Sequence, residues 1–312
     1  MLANMKNVIK RYGDQTVVDH LNLTITKGEV LGLLGPNGAG KSTTISMLCG
    51  LLAADGGEIT LFNQKQSVKN LNARRELGLV TQDITLCSEL TVVENLRYIG
   101  GLYGLRGATL NQRVTEVLDF IDLKDHVKKK PKQLSGGMQR RLNIGCALIH
   151  RPKLLIMDEP TVGIDPQSRN HILESVKKLA AQGTTIIYTS HYMEEVQAVC
   201  DRIVIMDAGR VIAEGTTEEL IKRISHEDVV HLTSVQASQE LTSQLQGIQG
   251  VKSVVLNGNK YTIKSTAGSG NINRITEVAQ RLGGIAGVTE ETATLEDVFL
   301  TLTGKALREG GK

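Results

Sequence analysis

The most constraining feature of this 312-residue chain is a glycine-rich turn between an apolar run and a helical pattern. Gly35–Ser42 matches the pattern G-x-x-x-x-G-K-[ST]; it follows a predicted buried strand, Val30–Leu34, and opens a predicted helix, Ser42–Leu51. Glycines there let backbone N–H groups converge on phosphate oxygens, and the helix start adds a favourable dipole. The sequence therefore predicts a nucleotide site, with Lys41 facing the β- and γ-phosphates and Ser42 binding Mg²⁺.

Two adjacent carboxylates end a second apolar run, Leu154–Met157. Acidic residues often end strands at turns, but a phosphate loop upstream favours a functional pair. We expect Asp158 to hold Mg²⁺ and Glu159 to orient and deprotonate an attacking water.

His191 follows a third predicted strand, Thr184–Thr189, at the same sheet edge, where it would sense the γ-phosphate. A lone histidine is more often structural, so this prediction depends on its position.

The arrangement of apolar runs predicts two domains. Strand and helix patterns alternate over residues 1–222, which is typical of a mostly parallel α/β sheet, with a helical subdomain over about 83–150. Residues 223–312 have the order β-α-β-β-α-β, with a hairpin turn at Asn257-Gly258, which predicts a small α+β domain.

Composition excludes several classes of protein. The net charge is only +3, there is no Trp, and there are only three Phe, so neither the charge nor the aromatic content favours nucleic-acid binding. The short basic run Lys128–Lys132 is typical of a solvated face. Apolar runs are far shorter than the roughly 20 residues of a membrane helix. The four cysteines lack metal or disulfide spacing, so we expect a cytoplasmic protein.

A second glycine-rich helix start discriminates further among nucleotide-binding proteins. Leu134-Ser-Gly-Gly-Met-Gln139 precedes a helical run predicted over Gln139–His150, and makes another anion-receptive helix start. One protein has little use for two such starts unless they hold one nucleotide from two sides. Here the sequence resembles the nucleotide-binding domains of ATP-binding cassette (ABC) transporters, whose signature is Leu-Ser-Gly-Gly.

The resemblance covers residues 5–220 and implies a P-loop cassette that dimerises around two ATP molecules with Mg²⁺. In the first copy, Tyr12 would stack on adenine, and the phosphate loop would consist of Gly35, Pro36, Asn37, Gly38, Ala39, Gly40, Lys41, Ser42 and Thr43. The metal ligands of the same copy would be Ser42, Gln82 and Asp158, and its catalytic groups would be Glu159, Gln82 and His191. The second copy would supply Ser135, Gly136 and Gly137, with Asp165 near the dimer seam.

Some positions depart from the family pattern or depend on it. Many members have Ser where Val162 stands, and Pro is commoner than Thr81 before the glutamine. A tyrosine near an amino terminus is usually surface packing, so the assignment of Tyr12 depends on its spacing to Gly35. Translation factors with two cassettes are excluded by the single signature. Repair ATPases with inserted coiled coils are excluded because only 117 positions separate Lys41 from Asp158.

The carboxy-terminal stretch Thr294–Gly304 resembles the tail of daunorubicin-resistance-type cassette proteins. By that resemblance, the chain is the ATPase subunit of an exporter of drugs, antibiotics or lipid-like compounds. It would work through a separate membrane permease that holds it at the inner face of the membrane. An importer subunit and a soluble regulatory ATPase without a permease remain as alternatives.

Overall fold

The computed structural model describes residues 1–224, 227–291 and 293–304. These form two compact units: the first comprises residues 1–216 together with 303–304, and the second comprises residues 217–302. The boundary predicted at Lys222 lies inside one continuous helix, Thr217–Ile224, so the division precedes this helix. Residues 305–312, which the sequence assigned to the second domain, lie outside the described residues.

The first unit is built from two sheets and seven α-helices among its described residues. Its strands are β1 (Ala3–Tyr12), β2 (Gln15–Ile25), β3 (Val30–Leu34), β4 (Gly56–Leu61), β5 (Gln64–Lys65), β6 (Leu77–Val80), β7 (Leu154–Asp158), β8 (Thr185–Thr189), β9 (Arg202–Asp207) and β10 (Arg210–Gly215). Its helices are α1 (Lys41–Leu48), α2 (Leu71–Arg75), α3 (Val92–Leu102), α4 (Gly107–Phe120), α5 (Gly136–Leu148), α6 (Pro166–Ala181) and α7 (Met193–Val199), with 3₁₀ turns at Lys124–His126 and Pro131–Gln133.

The central sheet has the order β10-β9-β3-β8-β7-β6, and all of its pairs are parallel except β9 with β10. Both faces are covered, which explains the unbroken apolar runs of its strands. Along β7, Ile156 packs in a cluster with Ile45 of α1, whereas the next residue, Met157, packs with Ile172 of α6. A separate antiparallel sheet has the order β2-β1-β4-β5.

This topology brings four predicted site segments to one edge of the central sheet. The parallel strands β3, β8, β7 and β6 are consecutive neighbours. The segments that follow them begin at Gly35, Ser190, Glu159 and Thr81, respectively. Ligands of open parallel sheets bind outside the carboxyl ends of the strands. The mostly parallel α/β core with antiparallel and helical parts therefore agrees with the predicted fold class.

Helices α3, α4 and α5 pack together around an apolar cluster within the predicted helical subdomain, about residues 83–150. Leu96 of α3, Val117 of α4 and Leu142 of α5 are buried in it. The amino end of α5 is the signature, so this subdomain presents the second predicted anion-receptive helix start.

Between its first and last helices, the second unit has the order β-α-β-β-α-β that the sequence predicts. Its elements are α8 (Thr217–Ile224), β11 (Glu227–Ser234), α9 (Gln239–Gln246), β12 (Val251–Asn257), β13 (Lys260–Thr266), α10 (Ile272–Leu282), β14 (Ile285–Glu291) and α11 (Leu295–Thr303). The antiparallel sheet has the order β12-β13-β11-β14, and α9 and α10 pack with it around Leu232, Leu245 and Ile275. Within the parts of the chain that the structure describes, no helix is both long and apolar enough to cross a bilayer.

Candidate functional site

The phosphate loop leaves the end of β3 and turns into α1 through left-handed glycines. Gly38 and Gly40 have φ values of 80° and 97°. A Cβ at Gly40 would lie 2.7 Å from the Val17 carbonyl oxygen, so the backbone admits only glycine there. No side chain caps the amino end of α1. Its first N–H groups thus suit an anion.

Lys41, the first residue of α1, is folded back over the loop. Its ammonium donates to the carbonyl oxygens of Gly35 and Pro36, at 2.6 and 3.1 Å. Burial lowers the pKa of Lys41, and the nearby carboxylates of Glu159 and Asp158 oppose that shift. The structure therefore places this lysine in the electrostatic field of both predicted acidic residues. Asn37 and Ser42 are exposed, and Thr43 is half-buried.

Asp158 and Glu159 share one hydroxyl group on the neighbouring strand. Thr189 of β8 donates to Asp158 Oδ1 at 2.6 Å and accepts the backbone N–H of Glu159 at 2.9 Å. Burial raises the pKa of Asp158, and the bond from Thr189 partly opposes this rise. Glu159 has φ 48°, which turns its side chain out of the strand. Such strained backbone commonly occurs at functional sites.

His191 lies directly against the predicted catalytic base. Its Nε2 is 2.5 Å from Glu159 Oε1. This hydrogen bond, more than any other contact, lowers the pKa of Glu159. Lys41, Asp158, Glu159 and His191 thus form one electrostatic cluster. His191 Nδ1 is buried and has no hydrogen-bond partner among the described residues.

The signature begins α5 earlier than predicted. The sequence placed the helix start at Gln139, but α5 starts at Gly136 because Ser135 Oγ accepts the Met138 N–H at 3.3 Å and caps it. Gly137 packs tightly on α6, since a Cβ there would lie 2.5 Å from Ser168 Cβ. Ser135 and Gly136 are exposed. This helix start is therefore open to a ligand or to another chain.

Asp165 lies beside the signature. It caps α6 by accepting the Ser168 N–H at 3.0 Å, and its Oδ2 would be 3.4 Å from a Cβ on Gly137. The backbone hydrogen bond from Ser168 lowers the pKa of Asp165, which is exposed. The chain thus presents two clusters: one around the phosphate loop and one that joins the signature to Asp165.

Two other predicted residues stand apart from these clusters. Tyr12 ends β1 and is 52% exposed, and the Lys10 ammonium is 5.6 Å from its ring centroid. Gln82 follows β6 and is exposed. Its backbone carbonyl accepts a hydrogen bond from Arg140 of α5, and that of Thr81 accepts another at 2.7 Å.

The sequence reasoning did not single out Thr189, Arg140 or Glu195, which the structure connects to these clusters. Each is an ordinary residue type in an ordinary position, and its partners lie outside its own helix or strand. No local pattern marks such residues.

Comparisons with known proteins agree with the geometry. The ABC transporter family model matches residues 18–162. The linearmycin resistance ATP-binding protein LnrL of Bacillus subtilis (strain 168) is 43% identical over 99% of this chain and 100% of its own length. The Nod factor export ATP-binding protein I of Cupriavidus metallidurans is 38% identical over 99% of both chains.

Solved structures give the same result. An ATP-binding subunit of an ABC transporter has a TM-score of 0.66 and 31% identity, over 72% of this chain and 93% of its own. The dimeric cassette MJ0796, bound to ADP and Pi in a post-hydrolysis state, has a TM-score of 0.63 and 29% identity, over 69% of this chain and 98% of its own. The chain belongs to the ABC transporter family, as an ATP-binding, ATP-hydrolysing cassette subunit.

Proposed function

We propose that this chain powers an exporter: two copies close around two ATP molecules, and hydrolysis drives a drug, antibiotic or lipid-like compound through a separate membrane permease. The two clusters support this proposal. Lys41 lies with the two carboxylates, whereas Ser135, Gly136 and Asp165 form a second, exposed group. Each chain has each group once, so a two-fold pairing of two chains would complete two sites.

Within each site we assign roles from the local chemistry. Glu159 would accept the proton of the attacking water, and His191 would orient that carboxylate. The Ser42 hydroxyl, the Asp158 carboxylate and the Gln82 amide would hold Mg²⁺, which prefers a few protein oxygens together with substrate phosphates. Within the described residues no cluster of three or more His, Cys, Asp or Glu side chains could hold a metal, so in this proposal the ion would depend on these mixed ligands together with the ATP phosphates. Tyr12 would stack on adenine.

The export direction is supported by the names of the relatives. One is named for linearmycin resistance and another for Nod factor export. Both alignments run through nearly the whole chain, including the second unit. In this proposal the permease holds the chain at the cytoplasmic face of the membrane.

An apolar cavity in the first unit is the proposed permease contact. It has a volume of about 350 Å³ and is lined by Leu51, Leu102 and Tyr103 among others. Leu51 and Leu102 are 58% and 65% exposed, and exposed apolar patches often mark partner sites. Thr85, which also lines the cavity, lies three positions after Gln82. A permease segment seated there would thus sense the state of the Gln82 segment.

Transport in inside-out vesicles tests the direction. The chain and its permease are reconstituted, and ATP-dependent uptake of linearmycin and Nod factor is measured. We expect uptake with the wild type and none with Lys41→Ala, which lacks the charge that faces the phosphates. Uptake that requires ATP inside right-side-out vesicles would instead indicate an importer.

Co-purification tests the cavity. Leu51→Glu and Leu102→Glu should reduce recovery of the permease while the free subunit keeps its ATPase activity, because a carboxylate would be buried without a partner on docking. Ile212→Glu, at another exposed apolar position of the first unit, is the matched control and should recover permease normally. Normal recovery with all three variants would exclude this cavity as the contact.

A further inference from the structure

A buried carboxylate outside the predicted site gathers several hydrogen bonds. Glu195 of α7 is 2% exposed. Its Oε2 accepts hydrogen bonds from the hydroxyls of Thr161, Tyr188 and Ser190, at 2.7, 2.9 and 2.7 Å. All three donors are themselves buried. A buried charge is tolerated only when it is well paired, so this network is a specific feature of the fold.

The donors come from both sides of the candidate site. Thr161 immediately precedes the Val162–Asp165 loop, and Ser190 immediately precedes His191. Tyr188 lies in β8, which is buried along its whole length, so this donor is held in a fixed position. One carboxylate oxygen thus joins the segment that leads to Asp165 with the segment that ends in His191.

Arg169 makes a second connection between the same segments. It lies on α6, the helix that Asp165 caps. Its Nε is 3.3 Å from Glu195 Oε1, and its guanidinium carbon lies 4.1 Å from the ring centroid of Tyr192, the residue after His191. The backbone N–H of Tyr192 also donates to Ser190 Oγ at 3.0 Å. A displacement of α6 would therefore act on the His191 segment through Glu195.

We propose that Glu195 is a positioning residue that couples the Asp165 loop to His191. Contact of Asp165 with a second subunit then sets how His191 holds the Glu159 carboxylate. Because Glu195 is 2% exposed, we assign it no direct contact with the nucleotide. The inference rests on the proposed two-subunit site, and its test is arranged so that the two can fail separately.

The first test replaces the carboxylate by an amide of the same size. Glu195→Gln keeps the packing but removes the charge that holds three hydroxyls and Arg169. We expect kcat for ATP to fall about ten-fold or more, with KM within about two-fold, because the phosphate loop is unchanged. A proportional rise in KM, or an unchanged kcat in a folded variant, would overturn the proposal.

A double-mutant cycle keeps the proposal testable if that variant folds poorly. Thr161→Val and Ser190→Ala each remove one hydroxyl of the network, and each should lower kcat about three- to ten-fold. If Glu195 couples the two segments, cutting one link already breaks the coupling, so the double variant should be little worse than either single variant. Effects on kcat that multiply independently would contradict it.

Controls separate the outcomes. Ser175→Ala removes a buried hydroxyl of α6 whose hydrogen bond, among the residues that the structure describes, is to the His171 carbonyl oxygen of its own helix at 2.9 Å, and should leave kcat unchanged. Wild-type turnover and ATP-dependent dimerisation of Glu159→Gln are measured first and report on the proposed function alone. If those succeed and the cycle is additive, only the role of Glu195 fails.

Discussion

Asp158 and Glu159 are adjacent in the chain, yet their surroundings shift their pKa values in opposite directions. Burial at the end of β7 raises the pKa of Asp158, whereas the bond with His191 lowers that of Glu159. The left-handed backbone at Glu159 separates the two side chains. Carboxylates whose pKa values are separated in this way commonly have different tasks, which supports the roles proposed for them, metal binding for Asp158 and proton acceptance for Glu159.

The pH dependence of turnover follows from the bond with His191. A depressed pKa keeps the Glu159 carboxylate ionised to lower pH, so activity should persist until the pH falls through that value. Replacing His191 by Ala removes the stabilising donor while burial remains, so the pKa of Glu159 should rise. We therefore expect the acidic limb of the kcat–pH profile to move to higher pH in His191→Ala.

The measurement compares the position of that limb rather than the height of the profile, because kcat itself will also fall. His20→Asn is the control: His20 is an exposed histidine paired with Asp19, and Asn accepts its left-handed backbone. A limb that stays in place in His191→Ala would contradict the assigned role of His191.

At the scale of elements, α5 connects two parts of the proposed site. Its first turn is the signature, and Arg140 one turn later holds the backbone carbonyls of Thr81 and Gln82. Arg140 is 3% exposed, so the donor of these bonds is buried. A movement of the signature would therefore displace Gln82 through these hydrogen bonds.

Arg140→Met tests this connection. Met fills much of the same space but donates no hydrogen bond, so the Gln82 segment should loosen. We expect kcat to fall while KM for ATP changes little, and the free energy of unfolding to drop by about 1–3 kcal/mol. Arg141→Met is the matched control, since Arg141 donates instead to Ile121 and Asp122. Equal losses of kcat in both variants would show that the effect is general destabilisation.

Local pattern predicted the elements that carry the phosphate loop and the acidic pair. β3 occupies the predicted residues, and α1, β7 and β8 begin within one residue of prediction. The start of α5 was predicted three residues late because glycines oppose helix propensity, while the Ser135 cap offsets that cost. The roles of Glu195 and Arg140 could not be predicted, because their hydrogen-bond partners are determined by tertiary packing, which a single sequence does not display.

At the scale of the whole molecule, every predicted site residue lies in the first unit, between Tyr12 and His191. A chain that ends after Thr216 should therefore fold and bind ATP, as checked by circular dichroism and a fluorescent-ATP titration. A chain that ends after Lys222 stops inside α8. Leu220, which is buried in the full chain, would then be exposed, so this chain should aggregate more readily. If the longer chain is the better behaved, the domain boundary belongs at Lys222.

The central claim is that each ATP is held by two copies of this chain. In Glu159→Gln, the amide cannot accept the proton of the attacking water, so hydrolysis should slow by about 10²–10⁴-fold. Lys41, Ser42 and Asp158 remain, so ATP should still bind. Because an uncleaved ATP would touch both copies, it should stabilise the dimer by mass action.

Light scattering of Glu159→Gln with and without Mg-ATP tests this claim most directly. We predict the monomer mass, 33.9 kDa, without nucleotide and twice that mass with Mg-ATP. Adding Ser135→Arg should abolish the dimer, because it places bulk and charge at the exposed signature and leaves the phosphate loop intact. A Glu159→Gln protein that is saturated with Mg-ATP and remains a monomer, alone and with its permease, would contradict the two-sided site.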